Sequence, residues 1–267
     1  WILVTLAAAV FQTGRFMLQK VLAQATLSAA GATFSRFLYS APFILLLLAA
    51  YLWSTEGTLP RLAPGFWAYG LAGGTVQILA TVCVVLLFKQ RNFAVGITFK
   101  KTEVIQTVLV SWVVLGEGVS PLGFVAIGIG VAGLLVLSGG PETRGWRLGD
   151  LRNRAAGLGI ASGFLFAISA VCYRGATLAV EADGAFLRAL VTLAAVVAMQ
   201  TAIMTVWLRL REPGQMRAVW GARRVAVWIG LTSMGGSLCW FIAFTLQNAA
   251  YVKALGQVEL ILSVAAS

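Results

Sequence analysis

The sequence predicts an all-α polytopic membrane protein of two inverted five-helix repeats, with ten spans in the intact protein and about nine visible within these 267 residues. Three observations predict it. Hydrophobic residues make up 60% of the chain and charged residues only 11%, against roughly 25% charged in soluble domains. Apolar runs of about 20 residues, enough to cross the hydrocarbon layer, recur along nearly the whole chain. Two of them, 156 positions apart, share one pattern: Asn92, Phe99, Lys100, Glu103, Ile105 and Ser111 against Asn248, Leu255, Gly256, Glu259, Ile261 and Ser267.

The first span, Ile2 to Leu18, is apolar except around Gln12, Thr13 and Arg15. The second, Thr33 to Trp53, ends at Glu56-Gly57-Thr58-Leu59-Pro60, where turn formers meet charge. The third, Phe66 to Phe88, carries no charge at all. The fourth, Phe93 to Leu115, holds Lys100, Lys101 and Glu103 near its middle and stops at Gly116-Glu117-Gly118-Val119-Ser120-Pro121. The fifth, Leu122 to Leu137, is spaced with glycine and ends at Gly139-Gly140-Pro141. Beyond a basic connection come the sixth, Ala155 to Tyr173, and the seventh, Ala185 to Leu208, which closes on Glu212-Pro213-Gly214. The eighth is Val225 to Leu246 and the ninth Ala249 to Ser267. Trp53, Trp67, Trp207 and Trp228 fall near segment ends, as an aromatic belt requires.

Further matches extend the repeat. Phe34-Ser35-Arg36-Phe37-Leu38 opens span two as Phe186-Leu187-Arg188-Ala189-Leu190 opens span seven, and Cys83 with Phe88 matches Cys239 with Phe244. Five spans per copy is an odd number, so the second copy enters the membrane from the opposite side. Residues 1–138 then form the first repeat, 139–154 a basic connecting loop and 155–267 the second repeat, with a tenth span expected beyond Ser267. Loops after odd-numbered spans hold Lys20, then Lys89 and Arg91, then Arg144, Arg147, Arg152 and Arg154, then Arg209, Arg211, Arg217, Arg223 and Arg224. The positive-inside rule predicts these loops in the cytoplasm and the N-terminus outside.

Lys and Arg number 20 against 9 Asp and Glu, a net charge of +11. Clustering in short loops assigns this excess to orientation and to anionic headgroups rather than to nucleic acid. The lipid bilayer and a small-molecule substrate are the expected partners. Cys83, Cys172 and Cys239 lie far apart within apolar runs, a pattern of neither disulfides nor zinc. No histidine occurs, so a metal site and a histidine proton shuttle are not expected, and carboxylates would carry any proton coupling. No cofactor is expected. Gly128-Ile129-Gly130-Val131-Ala132-Gly133 matches a dinucleotide fingerprint in letters only, because it lies inside an apolar span. Close helix packing is the expected use of this run, and of Gly70 with Gly74 and Gly159 with Gly163.

Ionisable groups at membrane depth cost several kcal/mol and must face protein or a watery cavity. Lys100 and Glu103, three apart, are neighbours on one helical face. Lys101 points about 100° away and needs another partner or water. Glu259 is the repeat equivalent of Glu103, and Lys253 precedes it as a substrate contact or headgroup anchor. Arg15 with Gln12, and Arg36, are gate or anion contacts or anchors to headgroups. Gln77, Thr81, Gln106, Gln200, Thr201 and Ser237 are explained by interhelical hydrogen bonds, with Gln77 also a candidate for substrate binding. Trp240 and Tyr251 could wall a site for an apolar solute.

The run Leu115 to Pro121, followed by the glycine-spaced stretch Gly128 to Leu137, resembles the signature closing span four and opening span five in the drug/metabolite transporter superfamily, EamA type. The arginines early in spans two and seven, Arg36 and Arg188, also fit it, and with the repeat the resemblance covers essentially the whole chain. Within the superfamily the chain is most similar to YddG-like exporters of aromatic amino acids and related metabolites. The resemblance implies a secondary transporter, not an enzyme, in a bacterial inner membrane, working by rocking of inverted halves. Many members have a proline where this chain runs Thr102-Glu103-Val104, so the resemblance leaves the kink usual there open. An organophosphate or nucleotide-sugar antiporter is the alternative that Lys100, Lys101, Lys253 and Arg15 keep open. A lipid-linked transferase would need a catalytic cluster that the loops lack.

Overall fold

A computed structural model describes residues 1–25, 27–90, 93–138 and 154–259. Arg91 and Asn92, the basic connection with Arg144, Arg147 and Arg152, and the tail of the ninth segment with Ile261, Ser263 and Ser267 lie outside these residues, as does the expected tenth span. The described residues form α1 (Ile2–Ala25), α2 (Ala29–Ser54), β1 (Arg61–Leu62), α3 (Phe66–Phe88), α4 (Phe93–Lys100), α5 (Glu103–Leu115) and α6 (Pro121–Ser138). They continue through α7 (Arg154–Leu178), β2 (Val180–Glu181), α8 (Ala185–Arg211), α9 (Pro213–Gly221), α10 (Arg223–Leu246) and α11 (Ala249–Gly256). The protein is all-α and polytopic: α1, α2, α3, α7, α8 and α10 are six helices long and apolar enough to cross a membrane.

Polarity is distributed as it is in a protein solvated by lipid. Arg15, Gln19, Arg36, Lys100, Lys101 and Glu103 are buried, whereas Leu3, Val10, Leu46, Leu109, Val113, Leu122, Ile129 and Leu210 are exposed. In water such a surface would be an aggregation site. Trp53, Trp67, Trp207 and Trp228 all stand exposed near helix ends.

Three local features depart from the sequence reading. Segment four is two helices, α4 and α5, broken at Lys101-Thr102 without any proline. The Thr102 hydroxyl donates to the Phe99 carbonyl at 2.7 Å, and the amides of Lys101 and Thr102 reach back three residues instead of four. A side chain competing for a backbone acceptor is a known helix breaker. The second break falls after Gly256, where the Gln257 amide reaches Ala254 and its side chain donates to the Lys253 carbonyl. Next, Glu212-Pro213-Gly214 starts a helix, α9, with Pro213 in its first turn where its missing N–H costs nothing. Lastly, β1 and β2 pair antiparallel, Arg61 opposite Glu181 and Leu62 opposite Val180.

Helix α3 lies along α7, α1 along α10, and α2 faces α8, while α4 and α5 both lean on α7. Glycine permits the last contact. A Cβ on Gly163 would meet the Lys100 carbonyl oxygen at 2.9 Å and Gln106 Oε1 at 3.0 Å, and one on Gly159 would strike the backbone of Gly96. Gly70 and Gly74 likewise face α8 through Val196, Met199 and Gln200. The expectation of close packing fails for Gly128, Gly130 and Gly133, around which a Cβ would meet nothing within 4 Å among the described residues. Gly163→Ala is therefore expected to destabilise the protein by about 1–3 kcal/mol through overpacking against the helix break. Gly128→Ala should change stability little. Thermal inactivation of the purified variants in detergent checks both, and equal behaviour of the two would contradict the packing described.

Candidate functional site

Three buried or nearly buried lysines, Lys100, Lys101 and Lys253, pair with two carboxylates, Glu103 and Glu259, where the helix breaks face α1, α7 and α10, and the buried Arg15 and Arg36 stand beside this cluster. The carboxylates are taken by lysines. Lys253 Nζ lies 2.5 Å and Lys100 Nζ 3.5 Å from Glu103, and Lys101 Nζ lies 3.8 Å from Glu259. Two of these pairs cross between the breaks: Lys253 of α11 reaches Glu103 of α5, and Lys101 beside α5 reaches Glu259 beyond α11.

The Gln12 amide joins this cluster to the neighbouring cavity. Its Nε2 donates to Glu259 Oε2, and its Oε1 accepts from Trp240 Nε1 at 3.1 Å and from Arg15 at 3.5 Å. Gln12, Arg15 and Gln19 are spaced to share one face of α1. Gln19 is fully buried, with neither amide atom partnered among the described residues. Lys253 Nζ sits among aromatic faces, 4.9 Å from the Trp240 ring centroid, 5.6 Å from Phe166 and 5.8 Å from Phe244. These rings already serve a cation.

A cavity of about 30 Å³ lies against these groups, walled by Gln12, Arg15, Arg36, Gln77, Trp240 and Lys253 together with Phe166, Ser169, Tyr173, Ser237, Phe241 and Phe244. It has room for a water molecule or two and for no larger solute. Arg36 is held by neutral acceptors, Thr81 Oγ1 at 3.3 Å and Ser237 Oγ at 3.2 Å. Gln77 Oε1 accepts from Tyr173 Oη at 2.8 Å and Gln200 Nε2 at 2.9 Å, which fixes the wall contributed by α3, α7 and α8.

Of the sequence candidates, Gln12, Arg15, Arg36, Gln77, Trp240 and Lys253 line this cavity. Lys100, Lys101, Glu103 and Glu259 form the charged layer behind its wall. Tyr251 is placed elsewhere, with its hydroxyl accepting from the Ser120 amide at 2.9 Å, since it faces the start of α6. Arg188 is also apart from the cavity and donates to the Ala182 carbonyl at 2.5 Å. Arg188 is the fourth residue of α8 and Arg36 the eighth of α2, one turn apart counted from each helix start. Helices α2 and α8 begin 156 positions apart, at Ala29 and Ala185, so Arg188 aligns with Ala32 and Arg36 with Thr192. Phe166, Ser169 and Tyr173 were missed because an aromatic in an apolar span reads as core; the four-residue spacing of Ser169 and Tyr173 was the available signal.

Each end of the bundle is fastened by loops from the two halves of the chain. At one end, Ser28 Oγ donates to Glu212 Oε2 at 2.5 Å, the Ser28 amide donates to Gln215 Oε1 at 3.0 Å, and Lys89 Nζ donates to the Leu27 carbonyl at 3.1 Å. About 39 Å away along the 26 residues of α2, the β1–β2 ladder closes the other end. There the Arg174 Nε also contacts both Glu117 oxygens, at 2.9 and 2.6 Å, while its NH1 caps the Phe244 and Gln247 carbonyls at 2.6 and 2.8 Å.

No protein-family model matches the chain, and no curated protein matches it by sequence. Among solved structures, one crystal structure described only as that of a protein superimposes over 97% of this chain and 88% of its own, with TM-score 0.64 and 18% identity. At that identity the likeness carries the fold alone.

Proposed function

We propose that this chain is a secondary transporter of small metabolites, amino acids among them, that exposes one internal site alternately to each side of a bacterial inner membrane. One observation carries the reading: a narrow cavity with charged and aromatic walls, too small for solute, sits between two ends that are separately fastened. Alternate release of such fasteners is what alternating access requires. The aromatic wall formed by Phe166, Trp240, Phe241 and Phe244 suits the apolar body of an aromatic solute.

The two-by-five inverted arrangement is part of this proposal. Helix starts recur at a spacing of 156 in α2 and α8 and in α4 and α11, and both α4 and α11 end in a break. The cross-packing of α3 on α7 and of α1 on α10 fits a two-fold relation between halves. Under that relation the Ser28–Glu212 fastening and the β1–β2 ladder are equivalent gates on opposite faces. Lys89, Arg154, Arg209, Arg211, Arg217, Arg223 and Arg224 gather at the Ser28 end, which the positive-inside rule assigns to the cytoplasm.

Glu259 is the better candidate for proton coupling, because its side chain is 12% exposed against 4% for Glu103 and it reaches the cavity wall through Gln12. Counterflow into liposomes with amino acids and phosphate esters, with and without a pH gradient, tests the proposal. Exchange of at least one solute is expected, and silence across the panel overturns the reading. Glu259→Gln is expected to keep exchange and lose accumulation driven by the gradient. Wild-type accumulation indifferent to the gradient assigns facilitated diffusion instead.

A further inference from the structure

We infer that the cavity, once widened by opening at one end, takes a small organic anion, its carboxylate or phosphate group held between Arg15 and Arg36 and its apolar body against Phe166, Phe241 and Phe244. The inference rests on the transporter reading and narrows its substrate class. Both guanidinium groups are buried, at 3% and 5% exposure, and both line the same cavity. A guanidinium does not give up its proton in proteins. Neither is ion-paired to a carboxylate among the described residues: Arg36 has two hydroxyls, and Arg15 has the long contact to Gln12. Two like charges facing one desolvated space repel each other; Glu259 lies within Coulombic reach of Arg15 and offsets part of its desolvation cost, whereas no carboxylate among the described residues does so for Arg36. An anion between them offsets both, and the planar fork of arginine suits two-pronged contact with carboxylate or phosphate.

The rest of the wall agrees with this charge. Lys253 adds a third cation, and among the described residues no acidic side chain lines the cavity, because Glu103 and Glu259 lie behind the wall and pair with lysines. Ser233 Oγ, buried and unpartnered among the described residues, lines a small adjoining cavity together with both arginines and is a further donor within their reach. A substrate ammonium finds no carboxylate on this wall among the described residues and meets the like charge of Lys253 instead. A zwitterionic amino acid is therefore the poorer ligand.

Four probes sharing a phenyl body separate the possibilities: phenylacetate, phenyl phosphate, phenylalanine and phenylethylamine. Their binding to purified protein, measured by thermal stabilisation and titration, is independent of flux. At least one of the two anions is expected to bind about tenfold or more tightly than phenylalanine, a difference of about 1.4 kcal/mol, and the preferred anion identifies the headgroup. Arg36→Gln should lose that preference, Arg36→Lys should keep part of it, and the empty Arg36→Gln protein should melt no lower than wild type, since an unpaired buried charge has been removed. Phenylalanine or phenylethylamine binding as tightly as both anions overturns the inference, as does Arg36→Gln with its preference intact. Counterflow of an amine or zwitterion without anion binding refutes the anion and keeps the transporter. Anion binding without any flux refutes the transporter and keeps the site.

Discussion

Glu103→Gln is expected to destabilise the folded protein by about 3–5 kcal/mol, the cost typical of removing one partner from a buried ion pair. The carboxylate is 4% exposed and serves two ammonium groups, Lys253 at 2.5 Å and Lys100 at 3.5 Å. A neutral amide leaves both lysines buried without a counter-charge. Glu259→Gln should cost less, because its lysine contact is longer, at 3.8 Å, its side chain is 12% exposed, and a glutamine still accepts from Gln12. Chemical denaturation in detergent, followed by tryptophan fluorescence, measures both. Adding Lys253→Met to Glu103→Gln should recover a large part of the loss, since the pair couples strongly. A loss below about 1 kcal/mol for Glu103→Gln, the range of solvated pairs, would mean that water reaches this pair and that the charged layer behind the cavity is open.

Joining Arg61→Cys to Glu181→Cys by a disulfide, in a background lacking Cys83, Cys172 and Cys239, is expected to abolish transport, and reduction should restore it. The two residues are directly opposed and both are exposed. Opposed residues in an antiparallel pair stand about 4.5–5.5 Å apart at Cα, within disulfide reach. The bond would hold the α2–α3 connection to the α7–α8 connection and keep that end shut throughout the cycle. Unchanged flux in the oxidised protein would remove the ladder from the gating mechanism.

Much of this arrangement was legible because lipid imposes strict rules on composition. Apolar runs locate the long helices to within a few residues, and charges inside such runs single out Arg15, Lys100, Lys101, Glu103 and Lys253 as interior groups. Local contacts were less legible. The break at Lys101-Thr102 comes from a hydroxyl capturing a carbonyl rather than from proline, and threonine does this in only some contexts. Arg188 and Arg36 have similar neighbours in sequence but stand one turn apart counted from the starts of α8 and α2, and Arg188 reaches the loop at Ala182 rather than the cavity. Tyr251 was assigned by residue type, whereas its helical face turns it toward Ser120. The fastenings at Ser28–Glu212 and β1–β2 join residues far apart in sequence, and no periodicity announces them.

Alternating exposure of the cavity is the central claim, and Ser237→Cys tests it most directly, because Ser237 lines the cavity beside Arg36. In the cysteine-free background carrying the Arg61→Cys and Glu181→Cys pair, a membrane-impermeant thiol reagent is added to one side of sealed vesicles at a time, after the pair has been either reduced and capped or oxidised. Modification of Ser237→Cys is expected from both sides with the pair open, and only from the side of the Ser28–Glu212 loops with it locked. Modification from one side alone in both states, or from neither, would contradict alternating exposure.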